Sequence, residues 1–120
     1  MIENNLTERT LNTKMIYKGR VIHLRKDEVA LPDGRTSTRE IVEHPGAVVI
    51  IAQKDKNNIV MVKQFRKAVE KVLLELPAGT LEPNEDLIHC AKRELEEEAG
   101  YRAKYWEKII DFYSSPGFCN

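Results

Sequence analysis

The sequence is short of most features that mark a specialised protein class. It holds only two cysteines and one tryptophan, and its 19 basic and 19 acidic residues leave no net charge. Cys90 and Cys119 lie far apart, with neither Cys-x-x-Cys nor zinc-ligand spacing. They are therefore expected to be reduced thiols rather than a disulfide framework or a metal site. The even charge balance argues against a surface that coats nucleic acid and against a polybasic membrane anchor. No stretch approaches the ~20 apolar residues that span a bilayer. The opening segment "MIENNLTERTLNTK" is polar where a secretory signal carries an apolar run. These absences together predict a cytoplasmic protein with no nucleic-acid partner and no membrane partner.

What is present fits one modest core. The chain has 120 residues, enough for one domain, and 32% of them are charged, above the ~25% usual for soluble domains. Short strands are expected from about Lys14 to Glu43. "LPDGRT" (31–36) reads as a Pro-Asp-Gly turn that folds the chain into a hairpin with "STREIVEH". This segment is too polar to bury both faces of a small sheet, so a second copy of the chain is a natural cover. Pro45-Gly46 marks a seam, which predicts an N-terminal β segment over 1–45 and a mixed α/β core over 46–120. In the core, "AVVIIAQ" (47–53) reads as a central strand covered on both faces. "IVMVKQF" (59–65) reads as its partner, and "VLLEL" (72–76) and "YWEKIIDFY" (105–113) as further strands. Between the last two, Asn84 is expected to cap a helix that Gly100 ends.

That helix belongs to the most unusual stretch, "GTLEPNEDLIHCAKRELEEEAGY" (79–101), with seven acidic residues against Lys92 and Arg93. A Glu-rich helix is most often a solvated face. Here the spacing speaks otherwise. At ~100° per residue, Glu94, Glu97 and Glu98 share one sector beside the apolar stripe Leu87, Ala91, Leu95 and Ala99. Arg93 stands one turn before Glu97. Carboxylates gathered in this way repel one another unless a cation neutralises them, and a hard cation such as magnesium favours such oxygen donors. His89 falls on the far face, and His23, His44 and His89 show no mutual ligand spacing. Tyr105 and Trp106 are expected in the core.

The full spacing is G-x5-E-x7-R-E-U-x-E-E-x-G-U, where U is a bulky apolar residue, running from Gly79 through Glu85 and Arg93 to Tyr101. It resembles the signature box of the Nudix hydrolases at every fixed position, with Tyr101 where an aliphatic residue is usual. The resemblance implies an α/β/α sandwich with a mixed sheet, here preceded by a small N-terminal antiparallel β segment. It also implies hydrolysis of a nucleoside diphosphate linked to another moiety, with Mg²⁺ or Mn²⁺ as cofactor. By the same resemblance Glu94, Glu97, Glu98 and the carbonyl of Ala78 hold metal, Arg93 holds Glu97, and Gly79 permits a tight loop. Glu97, Glu98 and Arg93 form the catalytic set, and Glu85 supports it.

Outside the box, "VKQFR" (62–66), "ELPAG" (75–79), "SPGF" (115–118) and "REIVEHPGAV" (39–48) resemble the ADP-ribose pyrophosphatase branch. Pro116, sixteen residues beyond Gly100, falls near the proline that marks that branch. The implied reaction converts ADP-ribose and water to AMP and ribose 5-phosphate. Arg66, Arg39, Glu40 and Pro116 are the implied substrate-binding residues. Arg39 and Glu40 would lie toward a homodimer interface built from the N-terminal sheet. The nearest alternatives are another nucleotide sugar, a nucleoside triphosphate, or a non-catalytic nucleotide-binding remnant. Relatives continue past Asn120 into an acidic loop whose glutamate activates water, so the chain is expected to be incomplete at its C-terminus.

Overall fold

The computed structural model describes residues 5–120, which form two compact units. The first comprises residues 5–44 with Asp111–Asn120, and the second Pro45–Ile110. Among the described residues no helix is long and apolar enough to cross a membrane.

The first unit is an antiparallel sheet of β1 (Arg9–Lys18), β2 (His23–Ala30) and β3 (Thr36–Glu43), in that order. The expected hairpin joins β2 to β3. Its turn is closed by Leu31 N–H donating to Arg35 O at 2.7 Å and Gly34 N–H donating to Leu31 O at 2.9 Å. The Asp33 carboxylate accepts from the Arg35 amide at 3.0 Å, the usual way an aspartate holds a turn. Two bulges interrupt β1, between Thr10 and Asn12 and between Met15 and Tyr17. Every residue of β1 is exposed, whereas Asp27 and Val29 on the central β2 are buried. The Asp111–Asn120 segment joins β3 through a parallel bridge between Val42 and Cys119, with Val42 N–H donating to Phe118 O at 2.7 Å.

The second unit pairs β4 (Ala47–Val49) with β9 (Ala78–Thr80), β5 (Gln53–Asp55) with β6 (Asn58–Ile59), and β7 (Val62–Arg66) with β8 (Lys71–Glu75). Each of these pairs is antiparallel. The β4–β9 pair packs on helix α1 (Leu87–Glu94), which winds on as a π-helical turn, Leu95–Ala99. Ile50, Ala91 and Leu95 make the core, with Val48, Ala52, Ala99 and Trp106 packed against it. The 47–53 run and the helix thus share one apolar centre, and the α/β class expected from the sequence holds.

Several local expectations are corrected. The run 47–53 is not one strand, because it changes partner midway. Ile50 N–H donates to Pro77 O at 2.8 Å, while Ala52 O accepts from Val60 N–H at 2.8 Å. The same switch divides 59–65 between β6 and β7. The run is also covered on one face only, since Val49 and Ile51 are 55% and 59% exposed while Val48, Ile50 and Ala52 face the helix. Residues 105–113 form no strand and find no ladder partner among the described residues. Trp106 packs on the core as expected, but Tyr105 is exposed.

Candidate active site

The helix begins two residues later than the sequence suggested, and this places a key carboxylate. Asp86, not Asn84, is the N-cap, accepting from the amides of Ile88 and His89 at 3.1 Å each. Asn84 instead turns the chain with φ of 59°, a left-handed conformation that asparagine tolerates better than most residues. Glu85 is thereby left outside the helix. Its Oε1 accepts from the Glu82 amide at 3.1 Å, and its side chain, only 5% exposed, faces Arg93.

Arg93 is the hub of the site. Its Nε and Nη2 each donate to a different oxygen of Glu85 at 2.9 Å. Its Nη1 donates to Glu94 Oε1 at 2.9 Å and to Glu97 Oε2 at 3.2 Å. The sequence suggested Glu97 as the main partner of Arg93; the bidentate bond goes to Glu85. This fork-to-fork geometry is the strongest form of the pair. Hydrogen bonding from Arg93, helped by the Glu82 amide and His89, holds the Glu85 carboxyl far below the usual carboxylate range, and the same bond raises Arg93. Beneath them the buried Cys90 thiol is pushed up to about 11, first by burial and then by Glu85.

A lowered carboxyl contributes stability that is complete above its ordinary value of 4.5 and fades as pH falls from there toward its folded-state value. Thermal melts from neutral into acid are therefore expected to show wild-type stability dropping below that point. Glu85→Gln should be less stable at neutral pH and respond less to acid. A variant with the same acid response as wild type would contradict the assignment.

Strand β9 brings the backbone up to the carboxylates. A Cβ on Gly79 would lie 1.9 Å from Glu94 Cδ, so any side chain there forces a shift of Glu94 or of the strand. Next to it, the Ala78 amide donates to Glu98 Oε2 at 3.0 Å. The three helix carboxylates differ in setting: the Glu94 side chain is 12% exposed and that of Glu97 60%, and Glu98 is exposed. Because Glu97 and Glu98 lie in the π-helical turn, the regular 100° spacing read from the sequence does not apply to them. Such turns are frequent at functional sites. Glu98 also lines an open groove of about 680 Å³ with Lys54, Asn58, Met61, Val62 and Tyr101.

Among the described residues, no three His, Cys, Asp or Glu groups are gathered as a ready metal cluster. Glu94 and Glu97 are turned toward Arg93 and Glu98 toward the Ala78 amide. The donor set nevertheless suits a hard divalent cation: carboxylate oxygens from one helix beside a strand whose bare Gly79 leaves room for them.

Arg66 makes a bidentate pair with Glu75, Nε to Oε2 at 2.8 Å and Nη2 to Oε1 at 2.6 Å. The sequence reading did not single out Glu75; the shared face of a β7–β8 hairpin was the signal that could have found it. Arg39, Glu40 and Pro116 belong to the other unit. There Arg39 is held by Glu8 at 3.0 and 2.6 Å, Glu40 is exposed opposite Lys26, and Pro116 stands in an exposed turn. His89 lies on the exposed face as expected, with Nδ1 3.0 Å from Glu85 Oε2.

Comparison with known proteins identifies the family and the fold. Residues 42–118 match the NUDIX domain, and residues 8–42 match the nucleoside diphosphate sugar hydrolase N-terminal domain. The chain is 53% identical to a methanol dehydrogenase activator of Bacillus methanolicus, over 94% of this chain and 61% of that protein. It is 51% identical to an ADP-ribose pyrophosphatase of Bacillus subtilis, over 97% of this chain and 63% of that protein. The chain thus spans less than two thirds of the length of these relatives. A solved structure of an ADP compounds hydrolase superposes with a TM-score of 0.81 at 20% identity, over 93% of this chain and 61% of the other, which establishes the shared fold. With the NUDIX match covering well over half of its length and the signature carboxylates lying on the helix that packs against β9, the chain belongs to the NUDIX domain family.

Proposed function

We propose that this chain carries the centre for metal-dependent hydrolysis of ADP-ribose to AMP and ribose 5-phosphate. The observation that carries the reading is the meeting of the Arg93 hub and the Glu94–Glu98 edge with the Ala78–Gly79 strand. Its support among relatives is the 51% identity to the Bacillus subtilis ADP-ribose pyrophosphatase and 43% to that of Mycobacterium tuberculosis.

Glu94, Glu97, Glu98 and the Ala78 carbonyl would hold Mg²⁺ or Mn²⁺. Such an ion neutralises pyrophosphate oxygens and lowers the pKa of water. Around it the chain's own residues have separate tasks. Arg93 fixes Glu94 and restrains Glu97, so that their charge is placed before substrate arrives. Arg66 offers its guanidinium to a non-bridging phosphate oxygen. Water adds to one phosphorus, the bridging P–O bond breaks, and each phosphate leaves as a monoester. The N-terminal β segment is the dimerisation and substrate side, with Arg39 and Glu40 contributing there, and Pro116 is a further substrate-binding residue. The working assembly is a homodimer in the cytoplasm.

The N-terminal match to a nucleoside diphosphate sugar hydrolase domain, and 36% identity to a GDP-mannose pyrophosphatase over 60% of this chain, keep a second nucleotide sugar in view. A panel of ADP-ribose, GDP-mannose and a nucleoside triphosphate separates these, with ADP-ribose expected to give the highest kcat/KM. Binding of ADP-ribose by calorimetry with no turnover of any panel member would contradict the proposal and indicate a binding module.

A further inference from the structure

We infer that Glu75 is a positioning residue for Arg66: it draws the guanidinium along the β7–β8 hairpin toward Ala78 and Glu98 and fixes which edge meets a diphosphate. The inference rests on the function proposed above and adds a residue that function does not assign.

The register shows why such a residue is needed. Arg66 stands opposite Lys71, at the turn end of the hairpin, while Glu75 stands opposite Val62 at the other end, with Gln64 and Leu73 paired between them. Alternation places positions 62, 64 and 66 and their partners 75, 73 and 71 on one face. Four positions separate the two levels, roughly 13 Å at ~3.3 Å per residue. Yet the side chains meet at 2.6 and 2.8 Å. Arg66 therefore lies back along the hairpin face instead of standing out beside its own Cα. Nothing at its own level would draw it that way. Lys71 is its direct neighbour and repels it, and Glu70 is taken by Lys67. The far end leads through Pro77 to Ala78, whose amide holds Glu98, and Glu98 is close enough to act on the Arg66 charge.

The pair also selects an edge. Glu75 takes Nε and Nη2, and Nη1 has no hydrogen-bond partner among the described residues. Half of the fork is thus anchored by the protein, and the remaining N–H groups are presented to an anion. A guanidinium pre-set in this way loses less freedom when it binds phosphate.

The opposite role would be a competitor, with Glu75 occupying Arg66 and holding phosphate off, and the two roles differ in sign. In Glu75→Gln, the KM for ADP-ribose is expected to rise about tenfold with kcat within about twofold, because Arg66 contacts substrate and transition state alike. In an Arg66→Ala background the same change should add nothing, since residues acting through one another are not additive. A substrate-free readout accompanies these. The Arg66 Nε–H resonance, slowly exchanging in wild type, should be lost or fast in Glu75→Gln. An unchanged or lowered KM in Glu75→Gln, additive effects in the double variant, or an unaltered Arg66 resonance would each overturn the inference. If wild type shows the protected resonance but neither binds nor hydrolyses ADP-ribose, the proposed function fails. The diphosphate role fails with it, and Glu75 is then only one half of a structural ion pair.

Discussion

Gly79→Ala is expected to lower ADP-ribose hydrolysis about a hundredfold while the far-ultraviolet circular dichroism stays that of a folded chain. The added methyl would sit 1.9 Å from Glu94 Cδ and 2.3 Å from its Cγ and Oε1, so something must move. Glu94 is not a loose side chain able to step aside: it is nearly buried and bonded to Arg93 at 2.9 Å. Either its carboxylate leaves the acidic edge, or β9 lifts from β4 and carries the Ala78 amide away from Glu98. Both outcomes misplace a proposed metal ligand, and a displacement of about 1 Å at a reacting centre can cost on the order of 10²-fold. Steady-state rates beside the spectrum check this. A variant as active as wild type would show that Glu94 has no catalytic position to lose.

Arg93→Lys keeps the charge and is still expected to reduce activity by about 10–100-fold, the usual range for losing a group that orients a metal ligand. Lysine presents a compact ammonium and not a planar fork. It cannot donate to both oxygens of Glu85 while also reaching Glu94 and Glu97, as Arg93 does between 2.9 and 3.2 Å. Glu85 would be left nearly enclosed with an imperfect partner, and the helix carboxylates would lose their common restraint. Rates measured against Mg²⁺ concentration should show a raised metal requirement as well as a lowered maximum. A fall in thermal stability with rate and metal requirement intact would mean that Arg93 serves the fold alone.

The parts of this picture legible from sequence are those written in local spacing. The turn at 31–36 and the helix before Gly100 follow from residue type and period, whereas the π-helical turn that carries Glu97 and Glu98 does not. Gly100 ends the helix with φ of 70°, as its position suggested. The rest depends on which distant segment pairs with which. The run 47–53 is uniformly apolar, so nothing in it announces that Ile50 bonds to Pro77 and Ala52 to Val60. Asn84 and Asp86 are both good caps, and the choice between them is made by the left-handed turn at Asn84. That choice frees Glu85 to reach Arg93, which is why Glu85 looked merely supportive in the sequence. The run 105–113 has strand composition but finds no ladder among the described residues. The Arg66–Glu75 pair spans the hairpin from end to end, a contact that neighbour-to-neighbour pairing does not suggest.

The most direct test of the central claim is the initial rate of AMP release from ADP-ribose as Mg²⁺ is titrated, for wild type and Glu98→Gln side by side. Wild type is expected to be silent in chelator and to rise to saturation with Mg²⁺. Glu98→Gln, which keeps shape but loses the charge beside Ala78, should stay near the baseline at every Mg²⁺ concentration. AMP release that persists in chelator, or a Glu98→Gln curve that overlays wild type, would contradict the account.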